Sequence, residues 1–166
     1  MLQKMITNDT ESHRLAKLVI GSMFDRDEAS RGLGMEIQSV GPGCASVTMT
    51  IRPDMLNGHK TCHGGFIFAL ADSAFAFACN SRNDAHVGAA CEIEYLYPGR
   101  EGDFLRAEAI ERAISGKSGV YDVSVYNQTG KLIAVFRGKS HRIRGFVVPE
   151  ITAAVPDCTN QQGVCT

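Results

Sequence analysis

Thirteen residues, Phe66 to Ala78, constrain this chain more than any other stretch, because only Asp72 and Ser73 among them are not apolar. The run follows a polar loop, Asn57 to Cys62, and the tripeptide His63-Gly64-Gly65. A glycine pair followed by an alanine-rich apolar run reads as a loop leading into a helix, since Ala69, Leu70, Ala71, Ala74, Ala76 and Ala78 favour helix over strand. A run that is apolar on every face predicts a helix buried all round. It is too short to span a bilayer and carries a carboxylate at its middle. An unpaired carboxylate in an apolar setting is costly, so Asp72 needs a reason to be there.

The chain has 166 residues, enough for one domain around a single core. A net charge of −1 gives no general affinity for polyanions. No basic patch interleaved with aromatics points to nucleic acid. The first residues lack the charged-then-apolar pattern of a secretion signal, and no segment predicts a membrane span. Cys44, Cys62, Cys79, Cys91, Cys158 and Cys165 are scattered with no CxxC pair, which fits reduced thiols in a cytoplasm. His59, Cys62 and His63 cluster, but no second pair at ligand spacing accompanies them, so no metal is expected.

Either side of the central run, the pattern alternates between helical and strand periods. Residues 1–10 are polar and read as a flexible N-terminus. From Glu11, Leu15, Leu18, Val19 and Met23 recur at helical spacing, with Thr10 or Ser12 as cap. Two strands, Met35–Val40 and Ala45–Arg52, flank the turn Gly41-Pro42-Gly43. Four more follow the central helix: Val87–Tyr97, Phe104–Ile114, Val120–Asn127 and Lys131–Arg142. Phe104–Ile114 has helical propensity, but its place between turn-bounded strands predicts strand. Tight turns predict antiparallel pairing, and an antiparallel sheet holding one apolar helix in its concave face is an α+β fold. Residues 11–144 read as that domain and 145–166 as an extended or disordered tail.

The motif Asn57-Gly58-His59, Cys62-His63-Gly64-Gly65, Leu70-Ala71-Asp72, Phe75-Ala76 and Asn80-Ser81 resembles the PaaI-type acyl-CoA thioesterases, which are associated with phenylacetate degradation. So do Tyr95-Leu96-Tyr97-Pro98-Gly99, Gly102-Asp103, Gly119-Val120-Tyr121-Asp122 and Phe136 to Arg142. The resemblance spans roughly residues 14 to 144. It implies the hotdog fold, a curved antiparallel sheet wrapped around a long central helix. It also implies hydrolysis of aromatic acyl-CoA thioesters, such as (hydroxy)phenylacetyl-CoA, to acid and CoA without a cofactor. By motif position, Asp72 matches the family's catalytic carboxylate and Gly64 the residue whose backbone N–H polarises the thioester carbonyl. Asn57 and His63 match positions in the same pocket. Dimers are the unit of that family and homotetramers are common.

The residues themselves support part of this. A helix N-terminus offers free N–H groups and partial positive charge, and Gly64 and Gly65 let a substrate come close. Stabilising an oxyanion there leaves a carboxylate to attack or to activate water. Asp72 lies eight residues beyond Gly64, roughly 12 Å along a straight helix at about 1.5 Å per residue. One helix cannot bring both groups to one carbonyl carbon, whereas two antiparallel helices can. The site is therefore expected at a two-fold homodimer interface. Ser73 is a candidate contact to substrate or water, against the ordinary reading of a helical serine bonded to its own backbone. Lys139, His141 and Arg142 are candidates for the CoA phosphates, against the reading of a solvated charged edge. Asn57 reads equally as a turn residue and His63 as a brace for the loop. Two rival functions remain: a hotdog dehydratase or hydratase using His63 with Asp72, and a non-catalytic acyl-CoA-binding module.

Overall fold

A computed structural model of the chain describes the backbone of residues 2–154 and the side chains of residues 11–151. Six strands form one antiparallel sheet: β1 (Glu36–Gly41), β2 (Cys44–Thr50), β3 (Asp84–Tyr95), β4 (Phe104–Ser115), β5 (Ser118–Tyr126) and β6 (Leu132–Phe146). Their order across the sheet is β1-β2-β4-β5-β6-β3. Helix α1 (Leu2–Asp25) leads to a short helix α2 (Glu28–Gly32), and the central helix α3 (Gly64–Asn80) separates β2 from β3. No described helix is long and apolar enough to cross a membrane.

The sheet holds α3 through side chains at the two periods predicted. Along β5, Tyr121, Val123 and Val125 are buried at every second position. On β4 the same alternation buries Leu105, Ala107 and Ala109, which explains why this segment is strand despite its helical propensity. From α3, Ile67, Leu70, Ala71, Ala74, Phe75, Phe77 and Ala78 pack against them. Phe75 lies edge-on to Tyr121 with centroids 5.5 Å apart and tilted on Phe136 at 5.9 Å. Gly138 makes room for it, since a Cβ there would lie 2.8 Å from the Phe75 ring.

Helix α3 is not buried all round. Its sheet face is closed, but Gly65 is exposed and Phe68, Ala69, Asp72, Ser73 and Ala76 are half-buried. These positions recur at three- and four-residue intervals and form one stripe pointing away from the sheet. The stripe is apolar except for Asp72 and Ser73, and residues Ala29 to Leu33 cover part of it.

Several boundaries differ from the expectations. Helix α1 begins at Leu2, ahead of Glu11, and α2 has no counterpart in the sequence reading. Asp27 caps α2, its Oδ1 accepting from Ser30 N at 2.9 Å. Strand β3 begins at Asp84, not Val87. Tight turns do not set every pairing: β3 joins β6, at the far edge, and the chain crosses from there to β4 beside β2. The crossing leaves β4 and β5 at the centre of the sheet, where their buried residues face α3. Strand β6 continues past Arg142 to Phe146, and a 3-10 turn spans Pro149–Ala154. The remainder of the expected tail, with Cys158 and Cys165, lies outside the described residues. Cys44, Cys62, Cys79 and Cys91 are free thiols.

Candidate active site

The N-terminus of α3 is built by three residues. His63 is its N-cap, and the ring Nδ1 accepts from Gly65 N at 3.0 Å. That bond commits the Gly65 N–H. Gly64 is the first helical residue, whose N–H has no partner within the helix. Its carbonyl accepts from the Tyr95 hydroxyl at 2.9 Å. A Cβ on Gly64 would sit 3.0 Å from the Tyr95 ring, so the close approach of β3 to the helix end favours glycine here. A cavity of about 450 Å³ opens at this end, lined by Cys62, Gly64, Ile67, Tyr95, Leu96 and Tyr97 among others. Asn57 does not point its polar atoms into it. Its Oδ1 accepts from His59 N at 2.9 Å and Thr61 N at 3.3 Å, and its Nδ2 donates to Thr61 Oγ1 at 3.0 Å. Asn57 thus braces the loop that delivers His63 and Gly64.

Two turns along α3, Asp72 lies where two other cavities meet. One, of about 390 Å³, is walled by Phe68, Phe75, Ala76 and Cys79 of α3 and by His86, Gly88 and Cys91 of β3. The other, of about 260 Å³, lies against Asp27, Ser30, Leu33 and Met35. Desolvation pushes the Asp72 carboxyl above its ordinary value, and a contact from the Cys91 thiol, Sγ to Oδ1 3.7 Å, pulls part of that back. Ser73 Oγ is 2.8 Å from Ser30 Oγ, which in turn donates to Asp27 Oδ2 at 2.6 Å. Ser73 therefore ties α3 to α2 beside the carboxylate.

The three basic candidates on β6 are exposed and divide between the two faces of the strand. Gly138 and Ser140 are buried against the helix side, so Lys139 and His141 point to the opposite face with Arg137. Arg142 is paired with Asp84. Within one chain, neither Lys139 nor His141 shares a face with Asp72.

The profile of the thioesterase superfamily matches residues 59–134. The acyl-coenzyme A thioesterase PaaI of Escherichia coli is 50% identical over 129 residues, covering 78% of this chain and 92% of that protein, so nearly all of the relative is matched. The chain belongs to the thioesterase superfamily. Within it, the solved structure of E. coli PaaI, from the phenylacetic acid degradation operon, superposes with a TM-score of 0.80 at 47% identity, covering 81% of this chain and 98% of that one. A Streptococcus mutans protein solved with acetyl CoA is more distant, at 27% identity and a TM-score of 0.65, covering 68% of this chain and 90% of that one. The architecture is accordingly the hotdog fold, with α3 as the enclosed helix. The profile match contains His63, Gly64, Gly65, Asp72 and Ser73, whereas Asn57 and the basic residues of β6 fall outside it.

Two neighbours of the candidate residues escaped the sequence reading. Tyr95 is part of the Tyr95-Leu96-Tyr97-Pro98 motif, but nothing in the motif says that its hydroxyl reaches Gly64. Cys91 is one apolar residue in an alternating strand, and no local signal places it against Asp72.

Proposed function

We propose that this protein hydrolyses acyl-CoA thioesters to the free acid and CoA, with aromatic acyl groups of the phenylacetyl type as substrates. The observation that carries the site is the α3 helix itself, whose first N–H, at Gly64, has no partner within the helix and whose Asp72 carboxylate is desolvated. Membership of the superfamily and the relative named PaaI support the substrate class.

The thioester carbonyl oxygen binds at Gly64 N–H, where the helix terminus favours the developing negative charge. Asp72 then either attacks the carbonyl carbon or removes a proton from an attacking water. Both routes expel CoA as a thiolate that takes up a proton. The attack route leaves an acyl-Asp72 anhydride for water to cleave.

The two groups come from different subunits. Eight residues of α3 separate them, roughly 12 Å at about 1.5 Å per residue, too far for one carbonyl. They also open on different cavities of the single chain. The half-buried stripe of α3 and the exposed edge strand β3 are the surfaces a second copy would cover. A homodimer with two equivalent sites, or a tetramer of two such dimers, is the assembly this reading requires. Partner-chain Lys139, His141 or Arg142 could then reach the CoA phosphates. Free thiols at the four described cysteines fit a cytoplasmic enzyme.

A panel of CoA thioesters assayed for free thiol tests the function. Faster release from phenylacetyl-CoA and its hydroxylated forms than from straight-chain thioesters is expected. An absence of thiol release from every member would reject hydrolysis in favour of a binding module.

A further inference from the structure

Strand β3 meets Asp72 through an irregularity. Its pairing with β6 slips between Gly88 and Ala90: Gly88 pairs with Ser140, but Ala90 pairs with Lys139 and Cys91 with Gly138. Three residues of regular strand would put Gly88 and Cys91 on opposite faces. The extra residue returns both to the helix side, as a bulge does where it re-aims a side chain. A Cβ on Gly88 would lie 3.5 Å from the Phe75 ring and 4.0 Å from Cys91 Sγ. Cys91 Sγ then stands 3.7 Å from Asp72 Oδ1, and both line the same cavity.

We propose that Cys91 is a positioning residue for Asp72: its thiol donates to Oδ1, holds the carboxylate in one orientation, and leaves Oδ2 for the chemistry. This rests on the reading of Asp72 as the reacting carboxylate. Partial burial and the facing carboxylate push the thiol up to about 11, so the S–H persists at neutral pH and remains a donor. The same contact favours the ionised form of Asp72, against the desolvation that opposes it. Cys79 of α3 and His86 of β3 line the cavity too, and on the α2 side Asp27 lines the neighbouring one. Of these described residues, Cys91 alone donates to the Asp72 carboxylate.

The test compares Cys91→Ala and Cys91→Ser with the wild-type protein in the pH dependence of kcat/KM and in the separate values of kcat and KM. Thermal unfolding of each variant serves as a control for folding. In Cys91→Ala the carboxylate loses a donor to its charged form, so the acid limb moves to higher pH. Its kcat falls by about three- to tenfold, the scale of one weak hydrogen bond to a charged group, with KM unchanged. Cys91→Ser keeps a donor and restores the acid limb. Superimposable profiles for Cys91→Ala and wild type would overturn the inference, as would a serine variant that behaves as the alanine one. Asp72→Asn separates the two readings. If it turns over at the wild-type rate, Asp72 itself is not the reacting group. If it is inactive while the Cys91→Ala profile is unchanged, only the role of Cys91 fails.

Discussion

Gly64 and Asp72 ask opposite things of the fold. In the proposed site Gly64 exposes a backbone N–H, whereas Asp72 keeps a carboxylate where solvation is poor. Replacing Gly64 by proline removes that N–H at the first helical position, where proline is well tolerated. His63 already has the extended backbone, φ −62 and ψ 130, that a following proline requires. The proline Cβ would meet the Tyr95 ring at 3.0 Å, so Gly64→Ala, which adds the same Cβ and keeps the N–H, is the reference. Relative to Gly64→Ala, Gly64→Pro should lose about 10²–10³ in kcat, the usual cost of one oxyanion donor. Circular dichroism would check the folding of both variants and thiol release the loss, and a Gly64→Pro enzyme as active as Gly64→Ala would remove the N–H from the mechanism.

Asp72 should cost stability as well as supply activity. Its folded value is raised above the ordinary 3.8. The folded state therefore holds its proton to higher pH than the unfolded chain does. Stability declines as pH rises through the interval between the two values, and the cost is fully present above the folded one. Asp72→Asn, which cannot ionise, is expected to raise Tm at pH 7 and to lose that advantage below the unfolded value. The same variant should lose about 10²–10⁴ in kcat. Thermal scans at several pH values would show whether the gain is confined to the range where Asp72 ionises.

At the scale of elements, α3 is fixed from three sides. Its core face presses Phe75, 1% exposed, between Tyr121 and Phe136 over Gly138. Its start is capped by His63 and its end is held by Asn80, whose Oδ1 accepts from His86 N at 2.9 Å. Because the helix carries both candidate groups, loosening its seat should damage both. Phe75→Ala leaves a cavity under the middle of α3 and should cost about 3–5 kcal/mol of unfolding free energy, read from urea denaturation. A loss well under 1 kcal/mol would show that the neighbouring rings collapse into the space.

For the whole molecule, the strongest expectation concerns two copies. If each site takes Gly64 from one subunit and Asp72 from the other, a heterodimer of Gly64→Pro and Asp72→Asn has one intact site and one doubly damaged site. Mixing the two inactive proteins under subunit exchange should restore about a quarter of wild-type activity, since half the dimers are mixed and half their sites are intact. No restoration despite demonstrated exchange would place both groups in one chain. Sedimentation of the wild-type protein would establish whether the unit is a dimer or a tetramer.

Much of this was legible in the chain, and for physical reasons. Helix and strand periods are local, so the run Phe66–Ala78 announced α3 and the alternation in residues 120–127 announced β5. The HGG–LAD motif marked Gly64 and Asp72 as candidates through its resemblance to the thioesterases, and helix rise fixed how far apart they stand. Short helix α2 was missed because five residues carry too little periodicity to register. The pairing of β3 with β6 was hidden because a turn signal reports where a strand ends, not which partner it takes across the sheet. The contacts of Tyr95 with Gly64 and of Cys91 with Asp72 join residues 31 and 19 positions apart. Only the folded sheet decides them, since they depend on strand order and on a single bulge. The sequence by itself determined the helix and the separation of its two candidate positions, Gly64 and Asp72, along it. Tertiary structure alone decided which side chains surround them.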